Sequence, residues 1–218
     1  MIERFLHHMA VEPSSATETL TDARLRLGHQ FPRATLRRMS HLGLLAGTVL
    51  AGTTVGPEDA VVLATTFAET LALEEFLRSF PTASPLLFQS SIHPGSVQQV
   101  LIGRQQPVAR LWPLAGRTRI VEQALLTALL EPAANVVLIG GEERGTWMAE
   151  LDCASASSFA FATVLTATAA GALAQVRFTP GPAADEVCPT LAAFTTTLAN
   201  REPLHWSGAG GDWSLTWR

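Results

Sequence analysis

Residues 135–143 read NVVLIGGEE. Four apolar residues run without interruption into a glycine pair, the pattern of a strand buried on both faces rather than one with a wet side. Upstream, residues 117–131, RTRIVEQALLTALLE, place Ile120, Ala124, Leu125, Ala128 and Leu129 on one face of a helix. Before that helix, residues 107–114, PVARLWPL, are suited to a strand. Strand, helix, strand with short links is the repeating unit of a parallel sheet, closed by a right-handed crossover. The expected fold class is therefore α/β.

Working outward, AVVLATTF at 60–67 is a second buried strand, and ETLALEEFLRSF at 69–80 follows as an amphipathic helix. FPRATLRRMSHLGLLAGTVLAG at 31–52 predicts one helix, with Pro32 in its first turn and Leu36, Met39, Leu42, Leu45 and Val49 on its apolar face. Arg33, Arg37 and Arg38 lie largely off that face. Residues 81–103 read as a loop followed by a short helix from about Ser96. SSFAFATVLTATA and ALAQVRFTP read as two strands of a hairpin joined at Ala169–Gly171. CPTLAAFTTTLANREP is a last helix, and HWSGAGGDWSLTWR a polar-aromatic tail with a glycine turn. No internal repeat or linker interrupts the chain, so residues 1–218 are expected to form a single domain.

The composition excludes several function classes. Of the 218 residues 47% are hydrophobic and 16% charged, enough to bury a sizeable core. Every base is an arginine, and the net charge of −4 offers no overall attraction to nucleic acid or anionic lipid. The start, MIERFLHHMAVEPSS, lacks the basic and apolar segments of a signal peptide or membrane helix, so a cytoplasmic protein with no membrane insertion is expected. Cys153 and Cys188 form neither a CxxC pair nor a disulfide framework. No GxSxG elbow occurs, and GAGG near the end stands in no strand-to-helix context that would cradle phosphate. Glu142, Glu143, Glu150 and Asp152 cluster after the glycine-pair strand, where a solvated loop face is favoured over a metal or acid/base role.

Five segments in order, RRMSHLGLLAG, AVVLATTFAETLALEEFL, SPLLFQSSIHPGSVQQV, VEQALLTALLEPAANVVLIGGEE and FAFATVLTATA, resemble the N-terminal half of a β-ketoacyl synthase. They are more similar still to the chain-length-factor-type subunits of type II polyketide systems such as those making aryl polyenes. The likeness covers roughly residues 30–178. It implies a thiolase-like fold corresponding mainly to the N-terminal half of a ketosynthase, with no cofactor.

In that family the nucleophilic cysteine starts the helix that precedes the glycine-pair strand. Cys153, in LDCASASS, comes after the pair and is not that cysteine. Counted back across the helix, the family's position falls at or within a residue or two of Ala115, where no thiol can carry an acyl group. The family's reaction also needs two histidines from the second half of the fold as hydrogen-bond donors, and no histidine here stands in such a motif. Of the six, only His93, in FQSSIHPG, resembles a family loop beneath the acyl channel, against the reading of an ordinary loop histidine satisfied by backbone.

The resemblance therefore implies a silent subunit that pairs with an active β-ketoacyl synthase and shapes its acyl channel in fatty acid or polyketide-type biosynthesis. The family dimerises through the strand before the nucleophile, here Val108, Ala109, Arg110, Leu111 and Trp112, with Pro107 and Pro113 limiting the ladder. The loop Phe88, Gln89, Ser90, Ser91, Ile92 and His93 is expected to join that interface, with Trp112 either its anchor or a core residue. Arg33, Arg37, Arg38, Arg117 and Arg119 are candidates for a transient contact with acyl carrier protein. The apolar helix ALLTALLE should need cover from the chain's own tail or from another chain. Two rival readings are a small acyl-thioester hydrolase or acyltransferase using Cys153 or a serine, and a stand-alone module that binds acyl carrier protein.

Overall fold

The computed structural model describes residues 1–182 and 187–218. The chain opens with β1 (Ile2–Pro13), followed by α1 (Leu20–Leu27), α2 (Arg33–Leu36) and α3 (His41–Val49). Next come β2 (Ala60–Thr65), α4 (Thr70–Arg78), α5 (Pro85–Ser91), α6 (Gly95–Gly103), β3 (Arg110–Ala115), α7 (Ile120–Leu130) and β4 (Asn135–Glu142). The remainder is α8 (Thr146–Glu150), β5 (Phe159–Thr166), β6 (Ala174–Pro180), α9 (Leu191–Asn200), β7 (Leu204–Gly208) and β8 (Gly211–Trp217). The described strands form one sheet in the order β3-β2-β4-β5-β1-β6-β8-β7.

The expected parallel unit is present: β2 pairs in parallel with β3 on one side and β4 on the other. Every residue of β2 is buried, as its unbroken apolar run requires. Val61, Leu63, Val137 and Ile139 face a core made with α3 and α6, while Val62, Ala64, Val136 and Leu138 face a second core made with α7 and α9. The glycine pair of β4 is a packing device. A Cβ at Gly140 would lie 2.2 Å from the Phe161 ring, and one at Gly141 2.7 Å from the Phe159 carbonyl. Only glycine lets β5 and its phenylalanines approach this closely.

Three expectations are corrected, and one element, the N-terminal strand, was not anticipated. The segment 31–52 is two helices and not one, because Ser40 is an N-cap whose Oγ accepts from the Gly43 amide at 3.0 Å. The stretch before Ser96 is not a loop: Pro85–Ser91 is helical, with Ser84 capping it and Pro85 in its first turn. The N-terminal segment is a 12-residue strand that runs through the middle of the sheet. As a result β5 and β6 are not a hairpin. β1 lies between them and pairs antiparallel with both, with a bulge between Leu6 and His8.

The tail covers the apolar helix. Ile120, Val121, Ala124, Leu125 and Ala128 of α7 are buried in one cluster with Phe194 and Leu198 of α9 and with Trp206 and Trp213 of the β7–β8 hairpin. The two indoles stack with centroids 5.6 Å apart and planes 5° from parallel. Trp206 Nε1 donates to Glu122 Oε1 at 3.0 Å, tying the hairpin to the first turn of α7. Each large side chain buried in this layer contributes about 1.5–3 kcal/mol. No helix among the described residues is long and apolar enough to cross a membrane.

Candidate functional site

The segment Val108–Trp112 singled out in the sequence lies at one edge of the sheet. β3 is that edge, with β2 on one side and no strand on the other among the described residues. Val108 and Ala109 lie just before it, and the Ala109 amide donates to the Asp59 carbonyl at 2.9 Å. Alternation along β3 sends Arg110 and Trp112 to the face that carries α7 and Leu111 to the other. Trp112 is 42% exposed, so it is not a core tryptophan. Its indole N–H donates to Glu131 Oε2 at 2.7 Å, and Arg110 Nε donates to Glu131 Oε1 at 2.8 Å. Glu131, just past α7, thus fixes both outward side chains. Sequence reasoning missed it because it stands 19 positions from Trp112 and reads as an ordinary helix-terminal acid. On the opposite face, Leu101, Ile102, Val108 and Leu111 line an open apolar groove of about 570 Å³ between α6 and β3.

Ala115 is the last residue of β3, and its neighbour Gly116 donates its amide to the Thr65 carbonyl at 3.1 Å. The turn from Ala115 to Arg119 contains neither cysteine nor serine. Arg119 closes it in the left-handed region with φ 56°, a conformation that redirects the chain into α7. Arg117 lies over the Phe67 ring at 5.8 Å, and Arg119 approaches Glu122 at 3.9 Å. The thiol that reaches this helix start is Cys188 and not Cys153. Cys188 lies against the Glu122 backbone, and burial pushes its pKa up, away from the thiolate. The Cys153 thiol is 3.4 Å from the Met148 carbonyl beside α8, and among the described residues no histidine bonds either cysteine.

At the carboxyl end of the parallel strands the acids are buried, which corrects the expected solvated face for Glu142 and Glu143 while Glu150 and Asp152 are exposed. Glu143 accepts from the amide of Leu42 at 2.7 Å and from that of Leu71 at 2.9 Å, so one carboxylate serves the N-termini of α3 and α4. Burial, and then the charge of Glu69, push the Glu143 carboxyl up to about 7. Glu142 accepts from the hydroxyls of Thr66 and Ser155. Glu69 accepts from the Ser96 amide at 3.0 Å and its hydroxyl at 2.8 Å, and lies 3.1 Å from His93 Nδ1. These bonds join helix starts to strand ends. Among the described residues no group of three histidine, cysteine or acidic side chains is arranged to hold a metal ion.

The remaining expected residues divide. Phe88 and Ile92 are exposed, and Phe88 packs beside Phe76 with ring centroids 5.3 Å apart. Gln89 is exposed and His93 half-buried. Ser90 and Ser91 turn their hydroxyls back onto carbonyls of α5, Ser90 onto Leu87 at 3.0 Å and Ser91 onto Phe88 at 2.8 Å. Arg37 and Arg38 border one pocket, whereas Arg33 does not line it and Arg117 and Arg119 belong to the separate β3–α7 turn. The five arginines are therefore not one patch.

No family model matches this sequence, and no curated protein matches it. Solved structures do. A chain of the ketosynthase in complex with its chain length factor from Xenorhabdus doucetiae superposes with a TM-score of 0.68 at 18% identity, over 99% of this chain and 100% of that one. The ishigamide ketosynthase/chain length factor gives a TM-score of 0.55 at 17% identity over 73% of this chain, which spans 53% of that one. The chain has the thiolase-like α/β fold of the chains that make up these ketosynthase and chain length factor complexes.

Proposed function

We propose that this chain is a catalytically silent, chain-length-factor-type partner of an active β-ketoacyl synthase. It shapes the partner's acyl channel in polyketide or fatty-acid-type biosynthesis of the kind that yields aryl polyene pigments. The observation that carries this reading is the bare β3 edge in a fold matched along its whole length by a chain of a ketosynthase complex. An unpaired strand is a template for another chain, and pairing it across a two-fold axis joins two sheets into one. Trp112 on one face and the groove beside Leu111 on the other give such a partner apolar surface to bury.

Silence rests on the turn from Ala115 to Arg119. An acyl-enzyme needs a nucleophile activated by a base or a lowered pKa, and this turn holds neither cysteine nor serine. The hydrolase or acyltransferase reading loses its footing on the same ground. Neither thiol has an imidazole partner among the described residues, and Ser90 and Ser91 are engaged with carbonyls of their own helix. Carrier protein is taken as the transient partner, met by Arg33, Arg37 and Arg38 and by Arg117 and Arg119 as two separate contacts. The test is acyl transfer from acyl carrier protein to the purified chain, alone and with a cysteine-bearing β-ketoacyl synthase from the same organism. Label is expected on the ketosynthase only. Stable label on this chain would overturn the reading.

A further inference from the structure

Between α1, the turn after α2 and the start of α4 lies a pocket of about 400 Å³, in the size range of small-ligand sites. Arg24, Arg37 and Arg38 line it, and among the described residues none of the three makes an ion pair. Arg24 is half-buried; one Nη donates to the Met39 carbonyl at 3.3 Å, while its Nε is buried without a partner. Glu75, on the facing helix α4, is the single acid in the lining. The wall is thus strongly cationic at a place where water is partly excluded, and guanidinium groups there favour a fork of oxyanion atoms.

The floor adds a second requirement. His41 lines the same pocket with its side chain only 1% exposed. Its Nε2 faces Glu18 at 3.2 Å, and its Nδ1 is buried without a partner. The Arg26 guanidinium holds the Glu18 carboxyl down to about 2, so this carboxylate is ionised and accepts. His41 Nε2 must then carry the proton, and because burial pushes the imidazole toward its neutral form, Nδ1 presents a lone pair. A ligand that completes the site must accept from arginines and also donate one hydrogen to His41. A fully deprotonated oxyanion or a diester lacks that hydrogen; a phosphate monoester retaining one proton supplies both.

We infer that the pocket bordered by Arg24, Arg37, Arg38 and His41 binds a phosphate monoester, its oxygens on the guanidinium groups and its P–OH on His41 Nδ1. The site does not depend on the partner reading, because it is complete within this chain and the probes are small molecules. The test titrates the full chain with glycerol 3-phosphate, inorganic phosphate and dimethyl phosphate at matched ionic strength. Binding is followed by calorimetry and by the imidazole ¹⁵N resonances. Glycerol 3-phosphate and phosphate are expected to saturate and to move the His41 Nδ1 resonance, with dimethyl phosphate much weaker. The pair Arg37→Gln and Arg38→Gln, both exposed, is expected to lower the affinity by at least about tenfold, the order of one or two lost charge-assisted bonds. Arg24→Gln should do the same, and where it impairs folding the exposed pair alone decides. No saturable binding, equal binding of the diester, an unchanged affinity in the paired variant or a silent His41 resonance would each overturn the site.

Discussion

Gly208→Ala tests how the C-terminal hairpin is locked onto α7. A Cβ at Gly208 would lie 1.7 Å from Glu122 Oε1 and 2.6 Å from its Cδ, far inside contact distance. Glu122 is buried, and the same oxygen accepts from Trp206 Nε1 at 3.0 Å. The carboxylate has to swing away, and a charge-assisted bond in the core, worth about 1.5–3 kcal/mol, goes with it. Overpacking adds about 1–3 kcal/mol because the surrounding indole stack has little room to yield. The expected destabilisation is roughly 2.5–6 kcal/mol, and for a chain of this size each kcal/mol lowers Tm by about 2–4 °C. Calorimetric or urea unfolding should therefore show a drop on the order of 10 °C or more. Gly116→Ala is the control, since nothing lies within 4 Å of its added Cβ, and it should unfold like the parent. If Gly208→Ala unfolded within about 1 kcal/mol of the parent, the reasoning that the tail clamps α7 through Glu122 would fail.

Further predictions concern charge and chemistry. Glu143 has a folded pKa raised from 4.5 to about 7, so its contribution to stability is fully present below 4.5 and is lost as pH rises toward 7. Glu143→Gln should flatten the stability profile across that window, by an amount on the order of 3 kcal/mol, and unchanged profiles in urea titrations at pH 5 and pH 7.5 would contradict it. Cys153→Ala should leave pathway product unchanged in a reconstituted assay, since its thiol only meets the Met148 carbonyl; loss of product from a folded, paired variant would return Cys153 to the chemistry. Reversing Arg37 and Arg38 to glutamate should slow association with acyl carrier protein and flatten its salt dependence, measured by stopped flow. An unchanged on-rate would end the carrier-contact proposal for these residues.

The parts of the fold legible in the sequence are those where burial is one-sided or complete. β2 and β4 show as unbroken apolar runs, and α7 as a 3.6-residue pattern, because nothing polar has to be accommodated there. β1 was hidden for the opposite reason: its residues alternate imperfectly around the bulge at Leu6 and His8, so Glu3, Arg4, His7 and His8 mask a central strand. Missing it made β5 and β6 look like neighbours. The edge at Val108–Trp112 was placed by the family resemblance, not by a local pattern; Pro107 and Pro113 are compatible with an edge but do not by themselves identify one. Glu131, Glu143, Glu122 and the Arg24–His41 pocket were not legible, since each depends on partners from 15 to 101 positions away that no local pattern connects.

The most direct test of the central claim is the mass of the complex formed when this chain is co-expressed with a cysteine-bearing β-ketoacyl synthase from the same organism, measured by size-exclusion chromatography with light scattering. The account predicts one 23.3 kDa chain per ketosynthase in a stable heterodimer. It further predicts that Trp112→Glu, which places a charge on the exposed β3 edge, dissociates that heterodimer while the chain keeps its fold by circular dichroism. A chain that elutes apart from the ketosynthase, or a folded Trp112→Glu variant that pairs as tightly as the parent, would contradict pairing through β3.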